Sequence, residues 1–324
     1  RHQAKEKFNN VRGTWLDCGK WAAPHKIQWM LSQTEGERNN NHIVDGTHIL
    51  ALRSYVAGFL EGNTSATRPW YRHGIEDEHR AMYPAHKEWL DTLTRRTLRV
   101  LQTSNFYHAA GDFYYDFGVF NTGAHYIDEI RGQLHFHNLI PGSYYVINNA
   151  LGEAVVLVLE RSFTVKALVD MYGKKKNGNW DWSNFSSQVR KLYEDGNYTT
   201  KVDIVTIVEE NEHYDPNKPE ILLNKRWVKK TYELGGNYGT YLDPNSFAES
   251  GPRQDDSEKY LNITASRRQP FIIGVSARSG NFEYGQKGPT LDALGCIKSL
   301  NKKAISKDRA LEQILDPAMQ GPAN

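Results

Sequence analysis

The sequence predicts an α+β chain: helices first, antiparallel strands next, and one long amphipathic helix near the end. Three observations predict it. Apolar residues recur at helical spacing through roughly the first hundred residues. From Ile130 the period drops to two, with turn residues between short runs. After Gly295 no Gly or Pro interrupts the chain until Asp316-Pro317. Helices followed by strands argue against a doubly wound parallel sheet.

The helical part has identifiable boundaries. Phe8, Val11, Trp15 and Leu16 share a helix that Pro24 ends. Asp45 can cap the next helix, where Ile49, Leu52, Val56, Phe59 and Leu60 form the apolar stripe. After Pro84 a helix from His86 to Leu101 presents Trp89, Leu90, Leu93, Leu98 and Leu101. Ser104 caps another, carrying Phe106, Ala110, Phe113 and Phe117.

In the strand region Leu134 and Phe136 alternate with His135 and His137. Pro141-Gly142 turns the chain into SYYVIN, and Asn148-Asn149 with Gly152 turns it into EAVVLVLE. The three runs read as an antiparallel meander. Thr164 caps a helix that Gly173 ends, and Ser183 starts one reaching Tyr193. Val202 to Val208 and Arg226 to Leu234 read as strands, with the turn-rich HYDPNKPE between them. Residues 235–269 read as a long loop, and Phe271 to Val275 as a last buried strand.

The final helix is the most specific pattern. Gly285, Gly288 and Pro289 make an irregular turn, Thr290 is a candidate N-cap, and Asp292 suits the positive end of the helix dipole. The run spans about 25 residues, or roughly 38 Å at 1.5 Å per residue. Ala293, Ile297, Leu300, Ala304, Leu311 and Leu315 form a heptad-like seam; Lys298, Lys302 and Arg309 project from the opposite side. A packed surface helix of a globular enzyme fits the same pattern.

Composition narrows the classes. The chain has 324 residues, enough for one large or two smaller domains. Mean hydropathy of −0.66 is polar for that length, yet 12% of residues are aromatic and need burying. Such a chain suits a subunit that covers much of its surface with other chains. A net charge of +2 does not announce a nucleic-acid binder. Cys18 and Cys296 lie far apart without metal-ligand spacing, which suggests a reducing compartment and no disulfide framework. No apolar run approaches the ~18 residues of a membrane span, and no signal-peptide pattern is legible. The chain opens on Arg1 and stops just past a helix, so it reads as a piece of a longer protein.

Candidate chemistry is sparse. His135 and His137 share a strand face and can reach one metal ion, but no third ligand has supporting spacing. Glu209, Glu210, Glu212, His213 and Asp215 form an acidic cluster fit either for glycoside hydrolysis or for a solvated turn. Asp128-Glu129 and Lys174-Lys175-Lys176 read as solvent-facing. No GxSxG elbow, Walker loop or GxGxxG after a strand is present. No residue is assigned as catalytic, cofactor-binding or metal-binding, and no cofactor is implied.

Two long stretches then carry a resemblance: SNFYHAAGDFYYDFGVFNTGAHYIDE and LHFHNLIPGSYYVINNALGEAVVLVLERSFTVKALVDMYG. Their ordered steps resemble the head-to-tail connector (portal) proteins of short-tailed bacteriophages. DGTHILALRSYVAGFLEGNTSATRPWYRH and FIIGVSARSGNFEYGQKGPTLDALGCIKSLNK agree, so the resemblance spans Phe8 to the end. It implies a wing domain over 1–284 (helical 1–120, mixed 121–284), a first stem helix over 285–316 and the start of a clip over 317–324. It implies a ring, usually of twelve copies, at one capsid vertex, serving as conduit for genome packaging and ejection. The implied partners are the major capsid protein, the terminase large subunit, tail or adaptor proteins, and double-stranded DNA read without sequence specificity, with no membrane. The implied location is the virion, with the host cytoplasm during assembly. The seam residues would form the subunit interface, where full burial would contribute on the order of 10 kcal/mol before entropy. Lys298, Lys302 and Arg309 would face the channel. A carbohydrate-active hydrolase using residues 209–215 and a tail-adaptor ring protein are the alternatives.

Overall fold

A computed structural model describes residues 1–31, 40–130, 132–176, 178–217, 223–234, 260–277 and 283–315. In chain order the first half carries α1 (His2–Ala22), a 3-10 turn (Pro24–Lys26), α2 (Gln28–Leu31), α3 (Thr47–Asn63), α4 (Glu78–Ala81), α5 (Pro84–Thr103), α6 (Phe106–Phe120), β1 (Thr122–Ile130), β2 (Gln133–Asn138), β3 (Tyr144–Asn148) and β4 (Ala154–Thr164). Then follow α7 (Val165–Tyr172), β5 (Lys174–Lys176), β6 (Asn179–Asp181), α8 (Ser187–Glu194), β7 (Lys201–Glu210), β8 (Trp227–Glu233), β9 (Asn262–Ser266), β10 (Phe271–Val275) and α9 (Pro289–Leu315). This is a mixed helical and antiparallel-sheet fold, of the predicted α+β class. It divides into two compact units: Arg1–Phe8 with Ser143–Pro270, and Asn9–Gly142 with Phe271–Asn324.

The first unit is a five-stranded sheet in the order β3-β4-β7-β8-β9, antiparallel throughout. Strand β-branching and alternation bury Val165, Leu168 and Val169 of α7, Val189 of α8, Ile204 of β7 and Leu261 in one apolar cluster. Thr164 caps α7 as its spacing predicts, accepting from Ala167 N–H. The cap of α8 is Ser186 rather than Ser183: its hydroxyl accepts from Val189 N–H. Buried Glu233 holds Ser186 N–H at 3.1 Å. Burial raises the Glu233 carboxyl above its usual range, against the pull of the Ser186 bonds. At the start of the chain Arg1 and Lys5 converge on Glu160, at 2.7 and 3.4 Å, and the Tyr145 hydroxyl donates to it at 3.0 Å. Burial alone would raise that carboxyl; the two cations and the hydroxyl outweigh it and hold it below its usual value.

The second unit packs helices with a three-stranded antiparallel sheet, order β10-β1-β2. Helix α6 is fastened to β2 at two points. Near one end Asn105 exchanges two hydrogen bonds with the Phe136 backbone, at 2.7 and 2.8 Å. Further along, buried Asp116 accepts from Asn138 Nδ2 at 2.8 Å and from Lys26 Nζ at 2.7 Å. Lys26 also lies 4.9 Å from the Tyr115 ring centre.

Five expectations change. The three-strand meander does not form: the Pro141-Gly142 turn, with Gly142 at φ 89°, takes the chain from the sheet holding β2 to the one holding β3. Residues before Ile130, where the period-two pattern begins, already form strand β1, because its mixed TGAHYIDEI pattern shows no clean alternation. Residues 262–266 form β9 rather than loop, and 235–259 lie outside the described residues. The last strand is a sheet edge, with Phe271 buried and Ile272 exposed. Trp89 is 61% exposed because α5 turns Leu90 and Thr94 inward instead.

The Asp116 environment yields a stability prediction. Burial pushes its carboxyl from 3.8 up to about 6, against Lys26 and Asn138. A raised folded value favours the protonated folded state, so the group's contribution is fully present below the unfolded value and lost as pH climbs through about 6. Relative to Asp116→Asn, the unaltered protein should therefore gain denaturation free energy as pH falls from 7 to 5. Asp116→Ala at pH 7 should cost about 1–3 kcal/mol, since it removes the acceptor of Lys26 and Asn138 and leaves Lys26 only the looser pair with Asp112 at 3.9 Å. Urea unfolding followed by circular dichroism measures both.

Candidate functional site

The site is built on one corner. Asn121 closes α6 in the left-handed region at φ 59° and is buried. Such a residue at a helix C-terminus reverses the chain, here into β1. The YGQKGP segment wraps this corner. Gly285 N–H donates to Thr122 Oγ1 at 2.9 Å, and Ser276 N–H donates to Asn121 O at 3.0 Å. A Cβ on Gly285 would collide with the Asn121 carbonyl, and one on Gly288 with its side-chain amide oxygen. Beside them Tyr284 stands edge-on to Trp15 at 5.4 Å, and Trp15 packs on Phe120 at 5.4 Å.

From that corner α9 starts at Pro289, the first-turn position where proline fits best. Thr290 is thus inside the first turn and buried, not the N-cap. Ile297 is buried. Asn301, fully buried, accepts from Val44 N–H at 2.8 Å and Asp45 N–H at 2.9 Å, and donates to Ile297 O at 3.0 Å. Lys298 Nζ lies 2.5 Å from Asp17 Oδ2. Beyond Asn301 the anchoring stops. Ala304 and Ile305 are half-buried, and every residue from 306 to 315 is exposed. Residues 302–315 therefore run about 21 Å at 1.5 Å per residue.

The predicted seam divides at this point. Ile297 packs within its own unit and Ala293 and Ala304 are half-buried, whereas Leu300 is 41%, Leu311 47% and Leu315 84% exposed. Ile314, which the seam omitted, is 74% exposed. Of the three cations, Lys298 is engaged by Asp17, and Lys302 and Arg309 are exposed on one side of the helix. Spacing alone could not show Asn301: a buried asparagine inside a helix announces itself only through the loop it holds. The 317–324 segment lies outside the described residues.

The other candidates sit elsewhere. Glu209 pairs with Lys230 at 2.8 Å and Glu210 with Arg226 at 3.0 Å across the β7–β8 ladder. The His135 and His137 rings are 4.4 Å apart. Among the described residues no group of three His, Cys, Asp or Glu side chains is placed to hold a metal, and no helix is long and apolar enough to cross a membrane. Lys175 rests on the Trp180 ring, 4.8 Å from its centre. Cys18 and Cys296 are free thiols.

A sequence model of the family described as "Bacteriophage head to tail connecting protein" matches residues 1–324. The chain is 26% identical over 324 residues to the "Portal protein" of Salmonella phage epsilon15, covering 99% of this chain and 53% of that one. It is 26% identical over 312 residues to the "Probable portal protein" of Bordetella phage BPP-1, covering 96% and 51%. The chain thus spans about half the length of the curated relatives it matches.

Two substitutions test the corner and the anchor. Gly285→Ala should cost about 1–3 kcal/mol, because the added methyl meets backbone rather than a flexible side chain. Asn301→Leu should cost about 1–2 kcal/mol by removing the acceptor of two part-buried amides, Val44 N–H and Asp45 N–H. In the second variant hydrogen exchange should accelerate at Val44 and Asp45 before the rest of the unit; unchanged protection there would refute the anchoring role.

Proposed function

This chain belongs to the bacteriophage head-to-tail connecting proteins, and we propose that it is a portal subunit assembling into a ring, of twelve copies, at one capsid vertex. The observation that carries the reading is the divided α9: a half fixed by Ile297, Lys298 and Asn301, followed by a half that exposes Leu311, Ile314 and Leu315. Exposing such side chains is unfavourable for an isolated chain and is relieved when copies stand side by side. In this proposal residues 1–284 are the wing, the helix in 285–316 is the first stem helix, and 317–324 begins the clip.

The ring serves as conduit for genome packaging and ejection. It contacts the major capsid protein at the vertex, the terminase large subunit during assembly in the host cytoplasm, and tail or adaptor proteins in the virion. Lys302 and Arg309 face the channel and meet phosphates without reading bases. Lys298, engaged by Asp17, contributes less to that lining. The role is structural and requires no covalent chemistry.

Negative-stain microscopy of the intact protein should show rings. Leu311→Asp combined with Ile314→Asp should abolish them while leaving the helical circular dichroism of the single chain unchanged, since both positions are exposed there. A monomer at high concentration in the unaltered protein would overturn the reading. Lys302→Ala with Arg309→Ala should leave rings intact. It should weaken duplex DNA binding equally for all sequences, reducing the salt slope by about 1 per lost phosphate contact.

A further inference from the structure

The exposed half of α9 carries its charges in an order that favours neither the isolated helix nor random contact. Lys303 and Lys307 are four residues apart, as are Asp308 and Glu312, and all four are exposed. Like charges at that spacing repel along a helix. None of the four has an ion-pair partner among the described residues. At 100° per residue the lysine pair and the acidic pair centre on faces about 140° apart.

Apolar residues frame both faces. Leu300 and Ile314 fall within about 40° of the lysine pair's centre and Leu311 about 60° from it, and Leu315 lies beside the acidic pair. The acidic side continues the line of Ile297 and Asn301, past the last buried residue of the helix. One helix thus presents a basic, apolar-flanked face and an acidic one, both without an ion-pair partner among the described residues.

We propose that these two faces meet each other between copies: Lys303 and Lys307 of one chain pair with Asp308 and Glu312 of the next. A closed ring of identical chains needs two different, mutually complementary patches on each copy, set on roughly opposite sides. The α9 faces meet that requirement in sign and in direction. Each contact relieves two intrahelical repulsions while burying the leucine and isoleucine flanks. The inference rests on the ring reading above and adds which face meets which.

A charge swap in the intact protein tests it, with ring formation read by microscopy and sedimentation. Lys303→Glu/Lys307→Glu presents two acidic faces and should not form rings alone. Asp308→Lys/Glu312→Lys presents two basic faces and should likewise fail alone. Mixed in equal amounts, the two variants should restore rings in which they alternate. Helical circular dichroism should match the unaltered protein in each case. If either variant forms rings by itself as well as the unaltered protein does, or if the mixture stays dispersed, the face pairing is wrong and the ring reading stands. If the unaltered protein itself forms no rings, the functional reading fails first.

Discussion

Everything in the second unit that concerns α9 depends on how closely two glycines approach Asn121. Gly285 meets the Asn121 backbone and Gly288 its side-chain amide, an approach possible because neither glycine has a side chain. Asn121 tolerates its left-handed backbone better than most residues. Its carbonyl accepts from Ser276 N–H, which ties the end of β10 to the end of α6. Three chain segments distant in sequence are therefore fixed at one point, and Tyr284 is delivered onto Trp15 as a consequence. The direction in which α9 leaves is set by this contact, not by the helix's own apolar seam.

The polar ties of that unit act in the same sense. Asp116 would be costly if buried alone, and burial does push its carboxyl up to about 6. Lys26 and Asn138 offset the cost only in one arrangement of the 3-10 turn, α6 and β2. Asn105 adds a second such arrangement at the other end of α6. An apolar contact in either place would tolerate sliding; paired donors and acceptors do not. The first unit relies more on its apolar cluster, with buried Glu233 and half-buried Glu160 as its tied carboxylates.

Much of this was legible in the sequence where local rules act alone. The boundaries of α5, α6 and α7 followed from Pro84, Ser104, Thr164 and Gly173. Ser104 does meet α6, accepting from Phe106 N–H, although Asn105 occupies the cap position. What failed needed long-range knowledge. β1 is a strand because β10, far along the chain, pairs with it. The meander broke because a turn residue says that the chain reverses, not which sheet it joins. Trp89 was read as core because a large aromatic usually is, while Thr94, bonded to His73 N–H at 3.1 Å, took the inward place. For the site, the seam was visible and its division was not, since Val44 and Asp45, which hold Asn301, lie on the other side of the sequence.

That division has an energetic consequence for the free half of α9. A short isolated helix is marginal in water, because closing the first turn fixes several residues for one hydrogen bond. Here the anchored half has already closed those turns, so residues 302–315 only extend an existing helix and need no nucleus of their own. Extension adds one hydrogen bond for each residue fixed, and Ala304, Leu311 and the lysines are good helix formers. The like-charged pairs pull against this, but weakly in salt, because exposed charges are screened over about 10 Å. The helix can therefore stand ready before any partner arrives. Neighbouring copies then need supply only lateral contacts, and the ordering cost that would otherwise fall on association is already met within the single chain.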